Sequence, residues 1–600
     1  MEKIQNYAFI GNGRSVALIS QNGSIDWLCW PKFDSASLFG AILDDQAGGF
    51  WKIFPRSTTH SVRRYLDETN VLQTRFTTSS GTLCLTDFMT ALSEEEKQRT
   101  LQPEHELIRE LFCESGEVEI DIHFNPRPHY GQQAVILRDL GKLGIRFENQ
   151  QSLTTLISDV PLTIGLDGAK TTLTLKKGEK RVFILTHAME GPAVLPSLQW
   201  TAYKLQSTLD WWNNWAAQCR YQGPYRKEVV RSALTLKLLS FAPSGAFIAS
   251  PTTSLPEKLG SHLNWDYRFC WLRDAAFTVR ALFSLGYQED AIAFVSWLLH
   301  STRLSLPKLN PLYDVYGKNT GKETFLSHLK GYANSQPVRI GNAAQNQIQH
   351  DCYGEVIDAV ASLIKEGGPL DGETKKMLRN FGKYICKHWQ EPDNGVWEYR
   401  ESQEHYTYSK VMCWVALDRL IAMNEKRWMS KSLLKRFIKN RDSIRLEIEE
   451  KGWNAHLQSY TAILYGETLD ASLMLMSFYG FEKTDSERMQ NTYLKIKERL
   501  YASPTGLIYR EERSKGQEGA FLMCSFWNPE FLARGGGTLA EAKESFVRLC
   551  ALANDVGLFA EEVDVETHDA LGNFPQAFTH IALINAALAI EARERSIELE

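Results

Sequence analysis

The periodicity of the apolar residues changes once along this 600-residue chain, and that change restricts the fold more than any other feature. Up to about residue 190, short apolar runs alternate with turn residues, which is typical of antiparallel strands. Beyond that point, apolar residues recur at i, i+3, i+4 and i+7, which indicates amphipathic helices. The sequence therefore predicts a β domain followed by a helical domain.

Three segments of the first domain predict β-hairpins. SVALISQNGSIDWLCW places two apolar runs around an Asn-Gly pair, TRFTTSSGTLCLTDFM repeats the pattern around Ser-Gly, and TLTLKKGEKRVFILT reads as a third hairpin. In GEVEIDIHF, apolar and polar residues alternate, so one face is expected to be buried and the other wet. Many short strands with frequent turns favour a β-sandwich.

We place the sandwich at residues 1–195, a connecting helical segment at 196–224 and the helical domain at 225–600. The connecting segment contains LQWTAYKLQSTLDWWNNWAAQ, which has helical spacing. The helices expected after it number ten or more, which fits a helical bundle, a toroid or a solenoid.

Composition excludes several classes of function. The net charge is −5 with no basic stripe, which argues against nucleic acid, and no apolar run is long enough to span a membrane. The N-terminus lacks the features of a signal peptide, and the ten Cys show no metal-ligand spacing with each other or with His. We therefore expect a cytoplasmic protein with buried free thiols and no metal or cofactor, its oligomeric state open, a homo-oligomer included.

The segment NWDYRFCWLRDAAFTV, residues 264–279, combines aromatic and charged residues in an unusual density. Its first half alternates with period two and predicts extended chain, and a helix follows with Arg273 and Asp274 in its first turn. A guanidinium fork and a carboxylate can grip adjacent ring hydroxyls while aromatic faces meet a sugar. A helix start in which Asp274 complements the helix dipole and pairs with Arg273 explains the same residues, and both readings stay open.

Two loops of the helical domain carry candidate catalytic carboxylates. Glu398 follows Trp397 in GVWEYRE, and Glu561 and Glu562 follow an apolar run in GLFAEEVD. Glycoside hydrolysis needs one carboxyl group that protonates the leaving oxygen and one carboxylate that activates water. Burial beside a Trp ring raises the pKa of a carboxyl group, which suits the acid. Taken singly, each Glu is more often a solvated surface charge.

Several motifs together resemble the bacterial branch of glycoside hydrolase family 15. They are PTTSLPEKLGSHLNWDYRFCWLRDA, SQPVRIGNAAQNQIQHDCYGEVIDA, NGVWEYRE, EGAFLMCSFW and AEEVD followed by LGNFPQAFTHIALINAA. The resemblance implies a fold that is first β and then α, an antiparallel β-sandwich followed by an (α/α)6 barrel. It also implies an inverting, exo-acting hydrolase that releases β-glucose from α-linked gluco-oligosaccharides, as a glucoamylase does.

The same resemblance implies roles for individual residues. Glu398 matches the general acid and Glu561 the general base, with Glu562 as the local competitor for the second role. The residues that match the pocket of the non-reducing glucose are Trp271, Arg273 and Asp274, and by looser resemblance Gln349, Asp351 and Trp397.

The chain departs from the family pattern at Asn528-Pro529 and at Ser261-His262, and both departures concern the leaving-group side. The clamp around Arg273 fixes only one glucose, and the sequence shows no closed second pocket. We therefore expect maltose-series or isomaltose-series oligosaccharides to be turned over better than trehalose.

Three alternatives remain. A trehalase of the same family carries the same motifs. A glycoside phosphorylase shares the layout but uses phosphate and needs no base, so AEEVD argues against it. A non-catalytic sugar-binding protein would not need both carboxylates. Phosphate dependence and release of glucose separate these readings.

Overall fold

A computed structural model describes residues 2–100, 102–133, 135–149, 152–189, 196–302, 305–365, 367–368, 370–426, 428–502 and 505–598. Its first part is an antiparallel β domain, as the sequence predicted. The strands are β1 Tyr7–Gly11, β2 Val16–Ser20, β3 Ser24–Cys29, β4 Ser37–Phe39, β5 Phe50–Pro55, β6 Thr58–Tyr65, β7 Leu72–Thr78, β8 Gly81–Met89, β9 His105–Asn125, β10 Arg138–Asp139, β11 Ile145–Asn149, β12 Ser152–Ser158, β13 Thr163–Gly165, β14 Gly168–Lys176 and β15 Lys180–Met189, with helix α1 Glu94–Thr100 between β8 and β9.

The long strand β9 joins two halves of the β domain. Its first half pairs with β8 and β15, and its second half pairs with β5 and β14. Val118, Ile120, Ile122 and Phe124 in the second half are all buried, as their alternation predicted. The two halves therefore share a strand that bends, and their inner faces form one core.

Two of the three predicted hairpins are confirmed, and the third is wrong. β2 and β3 pair across the Asn-Gly turn, and β7 and β8 pair across Ser-Gly. β14 and β15 do not pair with each other, because both run antiparallel to β9 as one interrupted strand. Gly178 has φ +87° and donates its N–H to the carbonyl of Cys113, while Gly116 in β9 has φ +67°. The glycines let the two strands bulge together, so the chain continues where a hairpin would reverse it.

Helices dominate the second part, and in the described residues six outer helices alternate along the chain with six inner ones. The connecting helix is α2 Thr201–Ala216. The outer helices are α3 Arg226–Leu238, α5 Gln288–Thr302, α7 Gly372–His388, α9 Lys431–Glu447, α11 Glu487–Leu500 and α13 Leu539–Cys550. The inner helices are α4 Leu272–Ser284, α6 Asp351–Lys365, α8 Thr407–Ala422, the short α10 Leu475–Phe478 preceded by the turn Ala471–Met474, α12 Leu522–Phe531 and α14 Ala577–Glu598.

The inner helices are buried over most of their surface, whereas the outer helices expose one side. In α8, for example, both faces are apolar and buried, while in α9 only Phe437 and Ile444 are fully buried. A helix that is apolar all round belongs in the interior of a helical toroid, and an amphipathic one belongs at its periphery. The toroid is closed by α14, which packs against both α12 and α4.

Short antiparallel pairs of strands, and one set of three strands, lie in the loops of the barrel. They are formed by β16 Ser240–Phe241 with β17 Ala246–Phe247, β18 Thr253–Pro256 with β19 Asn264–Asp266, β20 Cys270–Trp271 with β21 Leu312–Tyr313, β22 Thr324–Phe325 with β23 Arg339–Ile340, β24 Trp453–Asn454 with β25 Ser459–Tyr460, β26 Tyr501–Ala502 with β27 Leu507–Ile508, and β28 Ala520–Phe521 with β29 Glu562–Val563 and β30 Ala570–Leu571. These ladders hold the loops that carry the predicted site.

The β domain packs on these loops of the barrel. Arg268 forms a buried bidentate ion pair with Asp266 and donates to the carbonyl of Ser35 in the β domain. The Trp27 indole of β3 donates to the carbonyl of Pro251 at 2.8 Å. The exact domain boundaries at residues 195 and 225 stay a prediction. None of the described helices is both long enough and apolar enough to cross a membrane.

Candidate active site

The predicted site residues all lie at the N-terminal ends of inner helices or in the loops that lead into them. The Trp271 segment opens α4, Asp351 opens α6, Glu398 precedes α8, and Glu561 precedes α14. Because the inner helices run in the same direction along the barrel, these ends meet at one mouth.

The loop that carries Glu398 is held in a strained turn. Glu398 has φ +63°, a left-handed backbone that is uncommon for any residue except Gly, and its carbonyl accepts from the Gln347 amide at 2.9 Å. Asn394 closes the loop, because it exchanges hydrogen bonds with the backbone of Ile348. Strain of this kind persists only where the surroundings impose it, and it is concentrated at functional sites.

Trp271 and Arg273, predicted as sugar contacts, both hold Glu398 in place. The Trp271 indole donates to Glu398 Oε1 at 2.5 Å, and Arg273 Nη2 lies 3.3 Å from the same oxygen. Arg273 Nη1 also donates to the carbonyl of Val396 at 2.6 Å. The Arg273 guanidinium lies over the Phe578 ring, 5.1 Å from its centroid. The two side chains therefore orient the predicted acid.

Asp274 and Asp351 are buried carboxyl groups beside Arg273. Burial raises the pKa of Asp274 to about 7 and that of Asp351 to about 6, although Arg273 lowers both. Neither carboxylate oxygen of Asp351 has a hydrogen-bond partner among the described residues, and Oδ2 of Asp274 is paired with Arg273 Nη2 at 3.3 Å. Buried polar groups without a partner are rare in native proteins, and sugar hydroxyls would satisfy these oxygens.

Gln349 and Trp397 also lie in this loop cluster. The Gln349 amide donates to the side chain of Gln347, which in turn binds the carbonyl of Glu398. The Trp397 indole donates to Asp470 at 2.7 Å. Gln349 thus supports the acid loop, and Trp397 is fixed with its ring next to Phe521.

Glu561 lies on a second loop and is fully buried. Its Oε2 accepts from the backbone N–H of Asn573 at 3.3 Å, and its Oε1 has no partner among the described residues. Gly572 must be glycine here, since a Cβ on it would lie 2.5 Å from Glu561 Oε2 and its φ is +72°. Burial raises the pKa of Glu561 well above its ordinary value, and the charge of Glu257 raises it further. A carboxylate with a high proton affinity suits a general base.

Tyr267 lies near both predicted catalytic residues. Burial raises the pKa of its phenol, and the charges of Glu561, Glu257 and Glu398 raise it further. The Tyr267 side chain therefore lies among these carboxylates. Glu562 is not one of them, because successive side chains of a strand point in opposite directions and Glu562 begins β29.

Glu562 belongs to a buried carboxylate cluster beside Glu561. Its Oε2 accepts from the backbone N–H of Gly519 at 2.8 Å, and the carboxylates of Glu257, Glu518 and Glu562 have oxygens within 4.8 Å of one another. Arg510 pairs with Glu518 at 2.5 Å and with Glu257 at 3.5 Å. No motif in the sequence predicts this group. Its three carboxylates are ligands of the kind that bind a cation. The absence of a metal requirement stays a prediction.

Glu257 allows a test of this cluster through pH. Burial raises its pKa from 4.5 to about 8, with Glu518 adding to the shift and Arg510 opposing it. The native state therefore holds a proton that the unfolded chain releases, so this stability is complete below pH 4.5 and is lost as the pH rises towards 8. A shift of this size corresponds to as much as roughly 5 kcal/mol.

We expect Glu257→Gln, which cannot ionise, to raise the Tm relative to the unmodified protein at pH 8 and to raise it less at pH 5. Thermal unfolding at both values measures the difference. Carboxyl groups remote from Glu257 are present in both proteins and cancel, whereas Glu561 and Glu562, whose pKa the Glu257 charge raises, contribute to the same difference. Equal Tm differences at the two values would contradict the prediction.

Two sequence departures were expected to affect the leaving-group side. Asn528 points away from the site, since it accepts from the Tyr493 hydroxyl at 2.7 Å and donates to Ser545. Both partners are on outer helices, and α12 continues through Pro529. His262 lies nearer the mouth, where its carbonyl accepts from Arg339.

Sequence comparison identifies the family. A family profile described as glycosyl hydrolases family 15 matches residues 223–536 and 535–588, and one described as trehalase-like, N-terminal, matches residues 1–185. The chain belongs to glycoside hydrolase family 15. It is therefore a glycoside hydrolase, as the sequence motifs indicated.

Relatives in family 15 align with nearly the whole chain. A trehalase of Thermoplasma volcanium is 34% identical over 98% of this chain and 94% of its own length. A trehalase of Mycolicibacterium smegmatis is 35% identical over 99% of this chain and 92% of its own. A bacterial glucoamylase complexed with acarbose superimposes with a TM-score of 0.70 at 13% identity, covering 98% of this chain and 94% of that one. This last likeness confirms the (α/α)6 barrel fold.

Proposed function

We propose that the protein is an inverting trehalase, which hydrolyses α,α-trehalose to two molecules of glucose. Relatives named trehalase, at 34% and 35% identity over nearly the full length, favour this reading over the glucoamylase-like one that the motifs suggested first. The roles of individual residues below are part of the proposal.

The observation that carries the proposal is the presence of two separate groups of buried carboxylate oxygens without hydrogen-bond partners. One group lies beside Arg273 and includes Asp351. The other lies beside Arg510 and includes Oε1 of Glu257 and Oε1 of Glu518, whereas Arg510 pairs with the second oxygen of each carboxylate. Trehalose brings two hydroxyl-rich rings, one for each group. A leaving group without matching hydroxyls would leave buried oxygens unpaired, at a cost of about 1–3 kcal/mol each.

Each catalytic residue performs one proton transfer in this mechanism. Glu398 donates its proton to the glycosidic oxygen as the bond from that oxygen to C1 breaks. Glu561 removes a proton from the water whose oxygen bonds to C1 on the opposite face. The attacked ring leaves as β-glucose, and the other ring leaves with its α configuration.

Relative turnover of disaccharides tests the substrate. We expect kcat/KM for trehalose to exceed that for maltose and for isomaltose by about tenfold or more, since each unpaired buried oxygen costs about 1–3 kcal/mol. Release of glucose from the three sugars, measured side by side at one pH, gives the ratio. A maltose value above the trehalose value would restore the glucoamylase-like reading.

The anomers of the first products test the stereochemistry. Proton NMR within the first turnovers should show α-glucose and β-glucose in equal amounts. Two molecules of α-glucose would indicate retention and overturn the proposed roles. Turnover that requires phosphate and yields glucose 1-phosphate would instead identify a phosphorylase.

A further inference from the structure

Four side chains at the mouth form a cluster that we name the clasp: Trp265, Glu323, Arg339 and Arg400. The guanidinium groups of Arg339 and Arg400 both lie over the Trp265 indole, 4.3 and 4.1 Å from its ring centroid. Glu323 binds Arg400 through two parallel hydrogen bonds of 3.0 and 2.9 Å and lies 3.4 Å from Arg339 Nε. The clasp therefore joins one aromatic ring, two cations and one anion.

The clasp ties together loops that carry both predicted catalytic residues. Arg400 follows Glu398 by two residues. The carbonyl of Trp265 accepts from the Asn573 side chain at 3.0 Å, and the backbone N–H of Asn573 donates to Glu561. A change at the clasp is therefore transmitted to the space between acid and base.

The clasp adjoins the carboxylates that the proposed function assigns to the leaving ring. Trp265 lies in β19, and β19 pairs with β18, which ends directly before Glu257. The Arg273 side chain is 7% exposed and the Arg400 side chain 35%, so the clasp is nearer to solvent than the predicted glucose clamp. The clasp therefore lies at the outer end of the leaving-group side.

The charged side chains of the clasp are held together by a strong ion pair. Although burial alone would raise the pKa of Glu323, the hydrogen bonds and charge of Arg400 hold it below its ordinary value. Bidentate pairs between guanidinium and carboxylate are among the strongest and most directional in proteins. The neighbouring strands β22 and β23 pair Phe325 with Arg339, which anchors the Glu323 loop to the rest of the clasp.

We infer that the clasp closes the leaving-group side and limits the substrate to two sugar rings. This inference rests on the proposed function and assigns the length limit to named residues. A leaving group extended by one more glucose collides with the Arg400–Glu323 pair. Trehalose, whose second ring ends there, is accepted.

The test compares a disaccharide with the trisaccharide that has one more glucose on its leaving group, glucosyl α-maltoside. The unmodified protein is expected to cleave trehalose at least about 100-fold better in kcat/KM, the effect of blocking a well-packed subsite. Arg400→Ala is expected to narrow this ratio by about tenfold or more, mainly by lowering KM for the trisaccharide. Glu323→Gln, which keeps the shape but loses the anion, should act in the same direction.

Arg513→Ala is the matched control, since Arg513 also lies over an aromatic ring, Tyr399, and pairs with a glutamate, Glu511. It should leave the ratio unchanged. Folded Arg400→Ala and Glu323→Gln proteins with the unmodified ratio would overturn the inference. If the unmodified protein does not cleave trehalose, the proposed function fails, and the same ratio is then measured with maltose and maltotriose. The clasp predicts the same preference for two rings in that series.

Discussion

Replacing Glu561 by Gln is expected to lower kcat on trehalose by about 10²–10⁴-fold while the fold remains intact. The amide keeps the shape of the side chain and its acceptor for the N–H of Asn573, but it cannot take a proton from water. Burial disfavours a charge at Glu561 and raises its pKa, so a neutral amide of the same shape should not destabilise the protein. Steady-state release of glucose measures the loss of kcat, and the Tm of the variant shows whether the fold remains intact.

Glu562→Gln is the matched control, since Glu562 is adjacent, equally buried and bonded to the backbone N–H of Gly519. It should retain more turnover than Glu561→Gln, because it takes no proton from water and its amide can still accept from the N–H of Gly519. If the Glu562 variant lost its kcat and the Glu561 variant kept nearly all of it, the general base would be Glu562.

The order of the two domains could be predicted from the periodicity of the apolar residues, because that periodicity reflects which faces of a strand or a helix are buried. The Asn-Gly turn between β2 and β3 was predictable, since its backbone conformation is encoded by those two residues. The bulge at Gly178 was not predictable, because a glycine with positive φ serves a reversal and a bulge equally well. What decides between them is the matching kink at Gly116 in the facing strand, which lies far away in the sequence.

The sequence indicated the acid and base loops, but it did not indicate what supports them. Trp271 and Arg273 were predicted to grip a sugar, yet in the structure both are bonded to Glu398. Glu257 and Glu518 lie in motifs that the sequence singled out, without any role assigned to them. They are more than 250 residues apart, so only the closed barrel brings them together, and no local spacing can show such a group.

Substrate choice was the least predictable property for a physical reason. Under the proposed function, the clamp of Arg273 and Asp274 holds one glucose, and every substrate considered supplies that ring. Under the same proposal, selection depends on the leaving-group side, to which we assign Arg510, Glu518 and the clasp, and these come from separate loops. Of the two departures expected to affect that side, the first does not reach it, because Asn528 faces the outer helices.

Replacing Glu398 by Gln is expected to lower kcat on trehalose by about 10²–10⁴-fold, because the glucose leaving group needs the proton that the acid supplies. α-Glucosyl fluoride separates this role from that of the base, since fluoride leaves as a weakly basic anion without a proton. The kcat of the Glu398 variant on the fluoride should be within about tenfold of that of the unmodified protein. The Glu561 variant should lose activity on both trehalose and the fluoride.

Glu401→Gln is the control for this pair of measurements, because Glu401 is exposed and lies three residues further along the same loop. It should retain activity on trehalose and on the fluoride. The Trp271 indole can still donate to the carbonyl oxygen of a Gln at position 398, so the loop should keep its conformation. Equal losses on trehalose and on the fluoride in the Glu398 variant would mean that this residue positions the substrate and does not donate the proton, and the acid would have to be sought among the other carboxyl groups near Tyr267.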